Sequence, residues 1–161
     1  KFMIGHSLGG CVAILCGRAR PESWRGIILS SAAVEPPENM LGWKGRILSR
    51  FSAALSYLVP TMEVVALPVN DQQPEIHKLF VEDPLSSAVG VRARVGHEML
   101  STYRDIVENR KEVTFPFLFG AGTRDTVVNP SAGERFVEHA SSLDKRFEPF
   151  EGMWHVSAWA S

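Results

Sequence analysis

The sequence predicts an α/β fold: a parallel sheet flanked by helices, with a mostly helical segment inserted between two of its strands. Three observations carry this. A short apolar run, Phe2-Met3-Ile4, leads through a glycine-framed serine turn into a helical pattern. A second run, Gly26-Ile27-Ile28-Leu29, follows that helix at the spacing of a βαβ unit. Sheet character then lapses and returns only at Phe115-Pro116-Phe117-Leu118-Phe119-Gly120. The chain divides accordingly into core residues 1–33, an insertion at 34–110, and core residues 111–161.

The first stretch, Phe2 to Gly10, organises the rest. Strand, Gly5-His6-Ser7-Leu8-Gly9, then helix is the context of a nucleophile elbow, a sharp turn that lifts a serine hydroxyl above a sheet. A Cβ on Gly5 or Gly9 is expected to collide with the neighbouring strand or helix. Ser7 then sits at the positive end of a helix dipole, with the N–H of Leu8 placed to donate to an oxyanion. The helix is expected over Leu8 to Arg20, with Pro21 ending it. Gly26 to Leu29 reads as a strand buried on both faces.

From Glu35 to about Asn109 no convincing strand is visible. Glu35 to Asn39 is a Pro-rich loop, and Trp43 to Leu58 is helical by the spacing of Trp43, Ile47, Phe51 and Leu55. Its charges are Lys44, Arg46 and Arg50, with no acid between Glu38 and Glu63. Such a basic amphipathic helix suits peripheral membrane contact, and equally a lid packed on the core. Leu67 to Glu82 reads as loops, and Arg94 to Asn109 as a second helix. Pro130 to Ala140 is expected to be helical, and Lys145 to Phe150 a final strand.

Composition bounds the function. The 161 residues carry a formal net charge of −1, which leaves no electrostatic footprint for nucleic acid. No apolar run reaches the roughly 18 residues of a membrane span. Cys11 and Cys16 lie five apart on one helix, so their side chains diverge and no disulfide is expected. Both read as buried small hydrophobes, and an unpaired pair fits a cytoplasmic, reducing setting. No metal-ligand spacing and no phosphate loop is present, so neither metal nor cofactor is expected. The chain opens one residue before a strand, which reads as the interior of a longer sequence.

A serine hydroxyl needs a base to take its proton, and the base needs an orienting acid. Asp125 follows the strand at 115–120 and His155 follows the strand at 145–150, so with Ser7 all three are expected at one sheet edge. The competitors fit less well. His6 is expected to point away from the direction of Ser7's attack, His77 and His97 lie in the insertion, and His139 lies on a surface helix. Asp71, Asp83, Asp105 and Asp144 read as surface or capping residues.

In these residues and their order, the chain resembles the monoglyceride lipases of the serine-aminopeptidase-like branch of α/β hydrolases. The similarity lies in Gly5-His6-Ser7-Leu8-Gly9-Gly10, Asp83-Pro84-Leu85, Pro116-Phe117-Leu118 and Phe150-Glu151-Gly152 before His155. The resemblance implies an α/β-hydrolase fold lacking its N-terminal strands and last helix. It also implies that Ser7 is the nucleophile, Asp125 the acid, His155 the base and Leu8 the oxyanion donor. It implies no cofactor, and a monoacylglycerol or similar acyl ester as substrate, cut to fatty acid and glycerol. A lysophospholipase, a carboxylesterase, a proline iminopeptidase or a non-catalytic lipid-binding module are the alternatives. The family's second oxyanion donor comes from a His-Gly motif absent here, which implies weak turnover by these residues alone. Val156-Ser157-Ala158-Trp159, after the base, depart from the family pattern.

Overall fold

The computed structural model describes residues 1–36, 43–66, 69, 74–86 and 89–155, with residues 43–49 described by backbone alone. In chain order the elements are β1 (Phe2–His6), α1 (Leu8–Ala19), β2 (Gly26–Ser30), α2 (Trp43–Leu58), β3 (Glu63–Val65), α3 (Pro74–Glu82), β4 (Val91–Arg92), α4 (Ala93–Glu108), β5 (Phe117–Gly122), α5 (Pro130–His139) and β6 (Lys145–Phe150). The chain forms two compact units, Lys1–Leu41 with Ser101–Ser161, and Gly42–Leu100.

The first unit holds a four-stranded parallel sheet in the order β1-β2-β5-β6. Register follows from side-chain alternation: Ile27 lies beside Phe117 and Leu29 beside Phe119, so large apolar residues share one face. Helices α1 and α5 cover that face. Gly17 of α1 passes so close that an added Cβ would lie 2.4 Å from Phe115 and 2.8 Å from Ile27. Phe136 of α5 meets Phe117 edge-on, and Phe119 stands between Phe136 and Phe147. Phe115, Phe119, Ile14, Ile27, Leu29 and Ile106 are fully buried. The opposite face carries Phe2, Ile4 and Ile28, all exposed. The expectation that β2 is buried on both faces is therefore corrected: the described helices of this unit stack on one side, and Ile28 alternates outward.

Two ion-pair clusters brace the loops of this unit. Arg18 on α1 reaches Asp105 on α4 and Glu112 beyond it, the latter at 2.7 Å. Glu35, after β2, sits between Arg135 of α5 at 2.7 Å and Arg110 at 3.9 Å. Asp105 is held below the usual carboxylate range, chiefly by its hydrogen bond from Arg18.

The second unit corrects two further expectations. β3 and β4 form a small antiparallel pair where no strand was expected. Strands of three and two residues are too short to show a period. α3 occupies much of the stretch expected to be loops, with Pro74 in its first turn where the lost N–H has no helical acceptor anyway. Within this unit Ser52 Oγ bonds to His97 Nδ1 at 3.0 Å, and Lys78–Glu82 and Arg94–Glu98 pair one turn apart. α2 spans the expected residues; the side chains of Trp43, Lys44, Arg46 and Ile47 lie outside the described residues, as do Asp71 and Val156 to Trp159. Arg50 is exposed. Among the described residues no helix is long and apolar enough to cross a membrane.

The cysteines part company. Cys11 is buried and donates its thiol to the Ala33 carbonyl at 2.8 Å, whereas Cys16 is exposed. The expectation that both are buried fails for Cys16. An angular offset that forbids a disulfide also sends one thiol to each side of a helix covered on one face only.

Candidate active site

Ser7 occupies the turn between β1 and α1 with φ 53° and ψ −122°, a conformation that L side chains rarely adopt. Its surroundings over-determine it. The Ser7 N–H donates to the Ser30 carbonyl at 3.0 Å, and the Ser7 carbonyl accepts from Gly10 and Ala33. A Cβ on Gly5 would lie 2.5 Å from the Gly9 carbonyl oxygen, and one on Gly10 would lie 2.2 Å from the Ala32 Cβ. Gly9 is different: a Cβ there would meet nothing within 4 Å. The steric requirement expected at Gly5 and Gly9 thus falls on Gly5 and Gly10, because α1 turns the second position outward and the third onto the chain after β2.

Asp125 and His155 stand on the loops that leave β5 and β6. His155 Nδ1 lies 2.8 Å from Asp125 Oδ2, and His155 Nε2 lies 2.8 Å from Ser7 Oγ. In the neutral imidazole the Nδ1–H donates to the carboxylate, leaving Nε2 to accept from the serine hydroxyl. The other carboxylate oxygen, Oδ1, accepts from the Val127 and Val128 N–H groups at 2.8 and 3.0 Å. The Asp125 side chain is fully buried, so its charge faces the imidazole with little competing water. Leu8 is the first residue of α1, and its N–H belongs to the first turn, where helical donors have no acceptor of their own.

The loops carrying the acid and the base are stitched together. Thr123 N–H donates to the Phe150 carbonyl, Gly152 N–H to Thr123 Oγ1, and Arg124 N–H to the Met153 carbonyl. Trp154 Nε1–H donates to Thr126 Oγ1 at 2.7 Å. Thr126 and Trp154 were not picked out from the sequence. Adjacency was the available signal, since one follows Asp125 and the other precedes His155.

His6 is also closer to the site than expected. Its Nδ1 lies 3.1 Å from the Ser30 carbonyl, and its ring centroid lies 5.0 Å from that of His155. Partial burial, together with the facing His155, pushes the His6 imidazole below its ordinary value of 6.5. The other competitors have partners of their own: Asp83 caps a turn through the Leu85 N–H, Asp105 pairs with Arg18, His97 bonds Ser52, and His139 bonds the Arg135 carbonyl of its own helix. No cluster of three metal-ligating side chains occurs among the described residues.

A serine bonded to an imidazole that is bonded to a buried carboxylate recurs on unrelated folds. The sequence family decides between them. The family model described as Serine aminopeptidase, S33 matches residues 1–157. The chain belongs to this family. It is similar to the caffeoylshikimate esterase of Arabidopsis thaliana, 30% identical over 96% of this chain and 47% of that protein. It is similar also to the monoglyceride lipases of Homo sapiens and Rattus norvegicus, 28% and 27% identical over 96% of this chain and 51% of each relative. The chain spans about half the length of the curated relatives it matches. Among solved structures it is similar to the monoacylglycerol lipase of Paleococcus ferrophilus, with a TM-score of 0.78 at 24% identity over 96% of this chain and 59% of that one. A soluble variant of the Saccharomyces cerevisiae monoglyceride lipase gives 0.77 at 19% identity over 96% and 54%. The fold is the α/β-hydrolase fold.

Proposed function

We propose that the chain is a serine ester hydrolase acting on monoacylglycerols, with Ser7 as nucleophile, His155 as base, Asp125 as its orienting acid and the Leu8 N–H as an oxyanion donor. The observation that carries the reading is the continuous hydrogen-bonded series Ser7–His155–Asp125, both links 2.8 Å long. Ser7 Oγ attacks the ester carbonyl as its proton passes to His155 Nε2. The tetrahedral oxygen accepts from Leu8 N–H at the positive end of α1. The imidazolium formed on His155 is stabilised by the buried Asp125 carboxylate, and its proton goes to the departing glycerol oxygen. Water then repeats the sequence on the acyl-enzyme.

The substrate class comes from the monoglyceride lipases among the relatives. The Arabidopsis caffeoylshikimate esterase, at 30% identity, favours a second reading as an esterase of hydroxylated aromatic acyl groups. The insertion at 34–110 is proposed as the lid that meets the acyl chain, and exposed Phe51 and Leu79 suit a surface that touches lipid. Its basic residues Lys44, Arg46 and Arg50 would add peripheral contact with anionic membranes at about 1 kcal/mol each.

Labelling with a fluorophosphonate probe tests the chemistry: the wild-type chain should label at Ser7 and Ser7→Ala should not. A chain that never labels is a lipid-binding module rather than a hydrolase. Turnover of a monoacylglycerol against a caffeoyl ester then separates the two substrate readings. Vesicle sedimentation of the triple Glu variant at 44, 46 and 50 tests the membrane contact, with a loss of about two orders of magnitude expected.

A further inference from the structure

The strands that deliver the acid and the base pair in parallel up to Gly122 beside Phe150. Past that point Thr123 and Arg124 continue the join through backbone bonds to Phe150 and Met153. Beyond Arg124 the cross-links pass to side chains, Trp154 to Thr126 at 2.7 Å and His155 to Asp125 at 2.8 Å. The two links cross: the residue before the base holds the residue after the acid. Four residues, in two adjacent pairs, thus close a small ring.

The ring is anchored unequally. Asp125 has its own supports, the Val127 and Val128 N–H groups on Oδ1. Among the described residues, the last backbone bond from the loop carrying His155 to its neighbour lies at Met153. The Trp154 indole also stands nearly edge-on to the imidazole, with centroids 6.0 Å apart at 74°, so fixing the indole limits the tilt of the ring beside it.

We propose that the hydrogen bond from Trp154 to Thr126 is a latch that holds the His155 imidazole in register with Asp125 and Ser7, making Thr126 and Trp154 positioning residues. This rests on the hydrolase reading above. The chemistry of each partner makes the latch separable from packing. Indole N–H only donates, so Trp154→Phe keeps a ring and loses the donor. Thr126→Val keeps the shape and loses the acceptor, and Thr126→Ser restores the acceptor. Thr126 is exposed, so neither change at 126 threatens the core.

The test is the second-order rate of Ser7 labelling by a fluorophosphonate on the whole chain, with the melting temperature measured alongside. Losing one neutral hydrogen bond that orients a reacting group should slow labelling about three- to tenfold. Thr126→Val and Trp154→Phe should each show that loss, their combination no more than either alone, and Thr126→Ser the wild-type rate, all with similar melting temperatures. Wild-type labelling by Thr126→Val, multiplying losses in the double variant, or a Thr126→Ser variant as slow as Thr126→Val would overturn the latch. Should Ser7 fail to label in every form, the hydrolase reading falls, and the low-field proton resonance of the His155 Nδ1–H still reads the latch. Faster exchange of that proton in Thr126→Val supports it; an unchanged signal, or none in the wild type, overturns it.

Discussion

The two compact units hold their shape by different means. In the first, Phe115, Phe119, Ile14, Leu29 and Ile106 are buried beneath two helices, and the Ser7–His155–Asp125 geometry stands on the strands that this core aligns. In the second, Ala93 is the buried apolar side chain among the described residues, while Tyr57, Leu58, Ile76, Leu79 and Leu85 stand exposed. Its elements are held by their own backbone bonds, by the β3–β4 pair, and by short-range pairs such as Arg94–Glu98. The difference teaches where precision resides. Tenth-of-ångström placement of a nucleophile requires a close-packed support, whereas a segment without one is free to change its side chains.

The widest gap between the units should appear in their response to truncation. Phe119→Ala, in the packed unit, is expected to cost about 3–5 kcal/mol, and Leu79→Ala, on exposed α3, no more than about 0.5 kcal/mol, as read by urea denaturation. Equal losses would break the comparison. A finer contrast lies inside the elbow. Gly10→Ala forces a methyl into Ala32 and should destabilise by about 1–3 kcal/mol. Gly9→Ala, which enters open space on a helix, should gain up to about 1 kcal/mol.

The next effect depends on pH. The folded chain holds His6 below 6.5, so it binds this proton less readily than the unfolded chain does. Stability from this source is complete above pH 6.5 and declines as pH falls through that value toward the folded one. His6→Asn keeps a donor for the Ser30 carbonyl and removes the titration. Its urea midpoint should therefore drop less than the wild type's between pH 7.5 and about pH 5. Parallel curves would detach His6 from the site's electrostatics. The smallest effect is local: burial pushes the Cys11 thiol up to about 11, so a maleimide should modify Cys16 alone in the native chain and both thiols in urea.

The contrast also explains what could be read from residues alone. β1, β2 and β5 showed as apolar runs because a parallel sheet demands them, and α1, α2 and α5 carried proline or spacing signals at their ends. Ser7, Asp125 and His155 could be picked out because each lies on the turn or loop that leaves a strand. α3 escaped notice because its apolar residues face outward in a polar setting, and β3 and β4 because they are too short for any periodicity. The nearness of His6 to His155, the Trp154–Thr126 bond and the open space at Gly9 depend on where loops pass in three dimensions. No spacing rule reports that.

Glu35 has a further consequence. Its carboxylate is pinned by Arg135, with Arg110 on its other side, so it ties the chain leaving β2 to the stretch that leads back into β5. A segment whose two ends are fastened to the same core carries little penalty for its length: doubling such a loop costs only about 0.6 kcal/mol. The core therefore senses the fastened ends of the insertion far more than its contents. Evolution, or an engineer, can exchange residues 42–100 between them as a cassette while leaving Ser7, Asp125 and His155 undisturbed.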